Sequence, residues 1–570
     1  MTMEDLIAAA RGDRPVDLLL RNGKVVSVYS GEILETDVAV AAGHIAGFGP
    51  RPALREVDLG GRYLAPGYID AHLHIESAMA SPTEFARAVL PRGTTTVVAD
   101  PHEIAKVIGM AGIDYMLRSG EGQPLQFFFS LSSCVPATAM ETAGAELTAD
   151  DLAPLLDHPR VVALGEVMNF PGVIQGDPAV LAKIRAARAV RKRVDGHAPG
   201  VGGQALDAYV AAGVASDHEC IAADEALEKL RRGMHIMIRE GTGAKNLDAL
   251  LDIIRPETAH RLMWCTDDRH PHDILAEGHV DAIVRRAVHQ GVPPHLAIRM
   301  ATLNPATYFG LPWTGALAPG HRADMVVIRR LEDPVVEAVY TGGRQVAEGG
   351  VLLPSVSFPA PVPVTPAMHV APGGLDFRLK ADGPRMRVIE IIPGQIVTGQ
   401  AVEAVPVEAG QAVADPRRDL LKIAVVERHR GSGRTGIGFV RGMGLQRGAL
   451  ASSVAHDSHN IIVVGTDDEN MRAAARRVVA MQGGLAVVAE GNVLAELALP
   501  IAGLMSPEPV RSIQNRMTEL IGAARHLGAT LDDPFMTLSF LALPVIPELK
   551  ITDRGLVDVN RFEPVDLFVR

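Results

Sequence analysis

The chain has 570 residues, 47% of them hydrophobic, enough to bury large cores and divide into two or three domains, which excludes a disordered or fibrous protein. Its formal net charge of -12 would repel a phosphate backbone, because nucleic-acid affinity draws on Lys and Arg displacing counterions, so no nucleic-acid partner is expected. Cys134, Cys220 and Cys265 are too few and scattered for a disulfide framework or a CxxC metal site and fit a reducing cytoplasm.

The N-terminus, MTMEDLIAAARGDRPVD, has no basic region followed by a continuous apolar run, so secretion is not indicated. Residues 17–65 alternate apolar and polar positions between turn signals, as in DLLLRNGKVVSVYSG, which predicts short antiparallel strands and hairpins. Residues 314–352 repeat the style, so 1–66 and 311–353 are expected to form one composite β-sandwich domain from two pieces of chain.

Between them, 67–310 alternates apolar strand candidates with amphipathic helices such as SPTEFARAVLPRG and ADEALEKLRRG. The strand candidates, in order, are GYIDAHLHIE, TTTVVADPHE, QFFFSLSSC, VVALGEVM, RVDGHA, GVASDHEC, HIMIREG and RLMWCTDD. Eight βα units predict an α/β fold, a closed TIM-like (β/α)8 barrel with its chemistry at the C-terminal ends of the strands; an open doubly wound sheet is the alternative. A Pro-rich linker over 354–374 precedes a C-terminal α/β domain over 375–570. Within that domain GGLAVVAEGNVLAELALPIAGLMS is broken by Glu490, Asn492 and Glu496, which predicts buried core and not a membrane span. GSGRTG at 431–436 satisfies GxGxxG, but the following IGFVRGMG is too strand-like to open a helix, so a Gly-rich hairpin is expected there and not a dinucleotide site.

His72 and His74, two apart on the first barrel strand, project from one face and suit a shared metal ion. The spacing alone is weak, since His270 and His272 repeat it in DDRHPHD. Its company strengthens it: the predicted strand ends carry Glu166 on the fourth, His197 on the fifth, His218 on the sixth and Asp267 on the eighth. Imidazoles with carboxylates suit Zn, Fe or Mn, and a glutamate between two imidazole sets can bridge two ions. His456, Asp457 and His459, with Glu427 and His429, offer a further metal site, a substrate lid or structural hydrogen bonds.

This pattern resembles the amidohydrolase superfamily over roughly 17–352. The resemblance implies that His72, His74, Glu166 and Asp267 hold one metal ion while Glu166, His197 and His218 hold the other, with Mn2+ or Fe2+ first and Zn2+ second among the candidates. The segments ERHRGSGRTGIGFVRG, GALASSVAHDSHNIIVVG and LPIAGLMS, together with GYIDAHLHIESAM and ADPHEIAKVIG in the barrel, are similar to the adenine deaminase family of bacteria and archaea. That likeness implies a purine-salvage reaction in which adenine and water give hypoxanthine and ammonia, with a hydroxide bridging the two ions as attacker. Asp267 is then the expected general acid/base. Glu103, at the end of the second strand, is either a proton donor near N1 or a first-turn carboxylate on a helix dipole. Rival readings are a cyclic-amide hydrolase of the dihydroorotase or hydantoinase type and a scaffold without activity. A homodimer is the commonest assembly to expect.

Overall fold

Eight short apolar runs build the middle of the protein, and most are buried on both faces, as parallel strands under helices must be. The computed structural model describes residues 2–569. The strands are β1 (Tyr68–Leu73), β2 (Thr94–Ala99), β3 (Gln126–Leu131), β4 (Val161–Val167), β5 (Arg193–Gly196), β6 (Ser216–Asp217), β7 (His235–Arg239) and β8 (Leu262–Cys265). The first five pair in parallel as one sheet and the last three as another. Ala215 N–H donates to Val194 O at 2.9 Å, drawing β6 to β5. A parallel bridge between Leu73 and Asp267 joins the end of β8 to β1 and brings the strand ring round. The helix α1 (His102–Ile108) follows β2 directly, which carries His102 and Glu103 to the strand ends.

The flanking segments meet in one nine-stranded sheet. Strand Tyr63–Pro66 pairs antiparallel with Met325–Ile328, so the two ends of the first 352 residues share hydrogen bonds. The hairpins expected over residues 17–65 are present between Leu18–Val26, Ile33–Ala41 and His44–Phe48. Leu18–Val26 also pairs in parallel with Glu56–Asp58 and Tyr63–Pro66, an arrangement that alternation alone could not reveal. Residues 356–371 carry no helix or strand.

Beyond them a second nine-stranded sheet forms around β9 (Leu421–Val426), β10 (Thr435–Arg441), β11 (Ala449–Ser452), β12 (Ile461–Gly465) and β13 (Gly484–Ala489). The pair β9 and β10 is antiparallel, so GSGRTG leads into a hairpin strand. One face packs under α2 (Asp468–Ala480) through Met471, Ala474, Ala475 and Val478. The helix α3 (Pro534–Phe540) is capped by Asp533, whose carboxylate accepts from Phe535 N and Met536 N. β13 continues antiparallel into Asn492–Ala498, and no helix among the described residues is long and apolar enough to cross a membrane. Thr142 of the barrel unit binds this C-terminal part through three residues, donating to the Asp553 carboxylate and accepting from Asn460 Nδ2 at 2.9 Å and from Arg434 at 3.0 Å.

Candidate metal centre and active site

The backbone first decides where the donors stand. Asp267 N–H donates to His72 O at 3.0 Å and His74 N–H donates to Asp267 O at 3.3 Å, so barrel closure and ligand placement share the same peptide groups. Asp267 has φ 53°, left-handed for a residue with a Cβ, a strain held in place by these bonds. Asp100 fixes the next pair: its Oδ2 accepts Glu166 N–H at 3.1 Å, and its backbone oxygen lies 2.9 Å from His74 Nδ1. Tyr209 OH accepts His197 N–H at 3.1 Å. Asp217, paired with the fully buried Lys229, accepts Ala198 N–H at 2.8 Å and steadies the approach of β5 and β6.

On this frame the six residues singled out on the strand ends converge. Glu166 Oε1 is 3.3 Å from His74 Nε2 and 4.0 Å from His72 Nε2, while its Oε2 is 2.7 Å from His197 Nδ1 and 3.3 Å from His218 Nε2. The two oxygens thus divide the imidazoles into two sets. Asp267 Oδ1 completes the first set at 3.3 Å from His72 Nε2 and 3.2 Å from His74 Nε2. All are buried except His197, whose side chain is 23% exposed.

The donor set is short of positive charge, and this is the test of whether metal ions fit. His74 Nδ1–H donates to a carbonyl, which turns Nε2 toward the Glu166 and Asp267 carboxylates; burial opposes a charge on this ring, yet those two carboxylates raise its pKa well above the usual value, so the position is built for a cation. His72 Nε2 and His218 Nε2 are buried without a hydrogen-bond partner. Burial opposes a charge on His218, yet Glu166 and Asp267 beside it raise its pKa to about 9. Divalent ions would supply that charge, and mixed imidazole and carboxylate donors suit them. The groups His72–His74–Glu166, His72–His218–Asp267 and Glu166–His197–His218 each bring three ligand atoms within 4.8 Å.

Three further residues belong here that the strand pattern did not single out. His102 lies between the centre and Glu103, with Nδ1 3.2 Å from Glu166 Oε1 and Nε2 3.3 Å from Glu103 Oε1. Arg239 donates to Asp267 Oδ2 at 3.0 Å and pairs with Glu219, whose Oε1 is 3.4 Å from His218 Nε2. Their signals in the sequence are the imidazole of ADPHE and the carboxylate of SDHEC, each one residue from Glu103 or His218, and the guanidinium of MIREG, at the end of an apolar strand.

Glu103 lies outside the six-residue cluster and points toward the C-terminal sheet. Burial alone would raise its pKa, but His459, Lys106, His456 and His102 around it hold its carboxyl well below the usual range. Asp457 pairs with the buried ammonium of Lys106. Glu427 instead folds its own loop by accepting from His429 N, Arg430 N and Ser432 N, and His429 Nε2 sits 2.7 Å from Ser458 O. His270 precedes a short helix and His272 stands exposed at the surface, so this second HxH pair stays apart from the cluster.

Residues 63–346 match the Amidohydrolase family and residues 395–563 the Adenine deaminase C-terminal domain. A protein called adenine deaminase from Desulfatibacillum aliphaticivorans is 56% identical over 568 residues, covering 100% of both chains. Proteins of the same name from Methanothrix thermoacetophila and Cereibacter sphaeroides are 51% and 48% identical over 570 and 568 residues, covering 100% and 99% of both chains.

Proposed function

The chain belongs to the adenine deaminase family, and on that premise we infer that it hydrolyses adenine to hypoxanthine and ammonia at the C-terminal mouth of its barrel. The observation that carries this reading is the Glu166 carboxylate, whose two oxygens each face a separate set of imidazoles. His72, His74, Asp267 and Glu166 would hold one divalent ion, and Glu166, His197 and His218 the other. Bound there, divalent ions acidify water and stabilise charge on the attacked ring. Mn2+ or Fe2+ is our first assignment, with Zn2+ as the alternative.

The residues supply orientation and proton traffic. Asp267 takes a proton from the oxygen that adds at C6 and returns it to the departing amine, the two-way task of a general acid/base. Its Oδ2 is held by Arg239, which keeps Oδ1 aimed at His72 and His74. Glu103 serves the N1 side of the ring. Because its carboxyl is ionised in these surroundings, the proton it delivers belongs to the hydrogen-bonded group it forms with His456 and His459, which titrates as a unit.

We divide the chain as a composite β domain over 1–66 and 311–353, a barrel over 67–310, a linker over 354–374 and a C-terminal α/β domain over 375–570. Three buried free cysteines favour a cytoplasmic setting, and a homodimer is the assembly we propose. Ammonia release with the absorbance change from adenine to hypoxanthine, in protein loaded with Mn2+ or Fe2+, tests the reading. Adenine should be turned over, adenosine much more slowly, and dihydroorotate and hydantoin not at all. Hydrolysis of a cyclic amide without ammonia release from adenine would overturn it.

A further inference from the structure

The loop between β11 and β12 reaches from the C-terminal sheet into the barrel mouth and presents two imidazoles to one carboxylate. His456 Nδ1 is 3.1 Å from Glu103 Oε1, and His459 Nε2 contacts Glu103 Oε2. His102 Nε2 meets the same Oε1 at 3.3 Å, and its other nitrogen lies 3.2 Å from Glu166 Oε1. A continuous line of ionisable groups therefore runs from Glu166 through His102 and Glu103 to the C-terminal unit.

The two C-terminal imidazoles differ in what they can do. His459 Nδ1 lies 3.3 Å from Ala455 N and accepts its proton, which leaves Nε2–H to donate to Glu103. A metal-ligating imidazole ordinarily donates its second nitrogen, and His459 has that nitrogen committed as an acceptor. Lys106 Nζ stands 4.0 Å from Glu103 Oε2 with no exposed surface, and a buried ammonium at that range repels a dication strongly. Glu103, His456 and His459 bring ligand atoms close enough for an ion, but the donor directions and the ammonium argue for protons. His459 is 1% exposed and Glu103 5%, whereas the His456 side chain is 18% exposed. Its ring stacks on Phe540 of α3 at 5.0 Å and 19° between planes, which holds Nδ1 toward Glu103.

We propose that His456 acts through Glu103 as the proton supply of the deaminase site, connecting a sealed carboxylate to solvent. The proposal rests on the assignment of Glu103 to the N1 side of adenine. As water adds to C6, the N1–H bond forms with a proton from the Glu103–His456 pair. The pair regains one proton from solvent through His456, equal to the proton the attacking water has shed. The hydroxyl proton passes by way of Asp267 to the amine as the C6–N bond breaks, so one adenine and one water give one hypoxanthine and one ammonia. The C-terminal unit is on this account part of the active site.

The test compares His456→Ala, His456→Asn and Glu103→Gln as full-length holoenzymes, measuring kcat, KM for adenine, metal content, and rescue by added imidazole. His456→Ala should lose about ten- to a hundredfold in kcat, at or below the lower end of the range for a group that transfers the proton directly, because it acts through Glu103, with wild-type metal content and little change in KM. Imidazole should restore part of that turnover in proportion to its concentration. His456→Asn keeps the volume near Phe540 without a basic nitrogen and should be equally slow, with Asn blocking rescue. Glu103→Gln should be slow and unresponsive to imidazole. Near-normal kcat in Glu103→Gln would remove the N1 role and this proposal with it. A slow Glu103→Gln beside an unimpaired His456→Ala would overturn this proposal alone. Loss of a metal ion from His456→Ala, or failure of imidazole to rescue a folded, metallated His456→Ala, would overturn it as well.

Discussion

Replacing Asp267 by Asn probes chemistry and metal binding at one carboxylate. Asp267 Oδ1 faces His72 Nε2 and His74 Nε2 at 3.3 and 3.2 Å, while Oδ2 accepts from Arg239 at 3.0 Å. An asparagine has one acceptor where two are required. With its oxygen on the histidine side, its NH2 meets the guanidinium N–H; flipped, the NH2 meets the ligand nitrogens. Loss of the charged hydrogen bond costs about 1.5–3 kcal/mol, which corresponds to metal binding weaker by about ten- to a hundredfold. At saturating metal, loss of the proton shuttle should still lower kcat by about two to four orders of magnitude. That is about 2.7–5.4 kcal/mol of barrel-mouth transition-state stabilisation, with KM for adenine changing far less. Asp268→Asn is the control: Asp268 Oδ1 accepts from Ser77 Oγ, a bond that an asparagine oxygen preserves, so kcat should stay within a few-fold. The assay is steady-state kinetics with elemental analysis of the same samples. A fully metallated Asp267→Asn protein with near-normal kcat would refute the assignment and turn attention to Glu219 and Glu103.

Other expectations follow from single contacts. Wild-type protein should hold two ions per chain, and Glu166→Gln should bind fewer, since it removes the charge between the imidazole sets; one ion in fully active wild type contradicts this, read by elemental analysis. A Cβ on Gly165 would come within 2.0 Å of Asp100 Oδ2 and 3.0 Å of Leu131 O. Gly165→Ala should therefore push aside the carboxylate that steadies Glu166, costing about 1–3 kcal/mol by overpacking, and unchanged Tm and metal content would count against the role given to Asp100. Burial, with Asp457 nearby, pushes the Glu141 carboxyl up from 4.5 to about 8. The folded chain then holds a proton that the unfolded chain releases, so this group's contribution to stability is lost as pH rises through that window. Glu141→Gln, always neutral, should gain in Tm relative to wild type between pH 5.5 and 8, and a gap that stays constant would exclude the effect.

Local pattern made the barrel legible because most of the parallel strands are apolar runs with a polar or ionisable residue immediately beyond their last position, and β1, β2 and β4 are buried throughout. It also pointed to the HxH pair, to Glu166 near the end of β4 and to the residues after β5, β6 and β8, since a strand end fixes where a side chain emerges. His102 stayed hidden because it begins a helix, where the rule for strand ends gives no direction. Arg239 ends β7, yet its value lies in reaching Asp267 beyond the end of β8. His456 and His459 were visible as residue types, but their use depends on a loop more than 350 residues from Glu103 along the chain, and no periodicity encodes that meeting. The parallel pairing of Leu18–Val26 with Tyr63–Pro66 was obscured for a similar reason: alternation specifies a half-buried strand without naming its partner.

The antiparallel pairing of Tyr63–Pro66 with Met325–Ile328 sets an order of events during synthesis. Pro66 leaves the ribosome long before Met325 exists, and at five to twenty residues per second the wait is roughly fifteen to fifty seconds. Throughout that interval the first strands expose an unpaired edge of the kind that joins other chains. Only Gly67 separates this edge from β1, so the nascent barrel and its half-built flank emerge together. A cell making this protein quickly therefore accumulates many such edges at once, and yield should respond to the pace of translation across residues 67–324 more than to the stability of the finished fold.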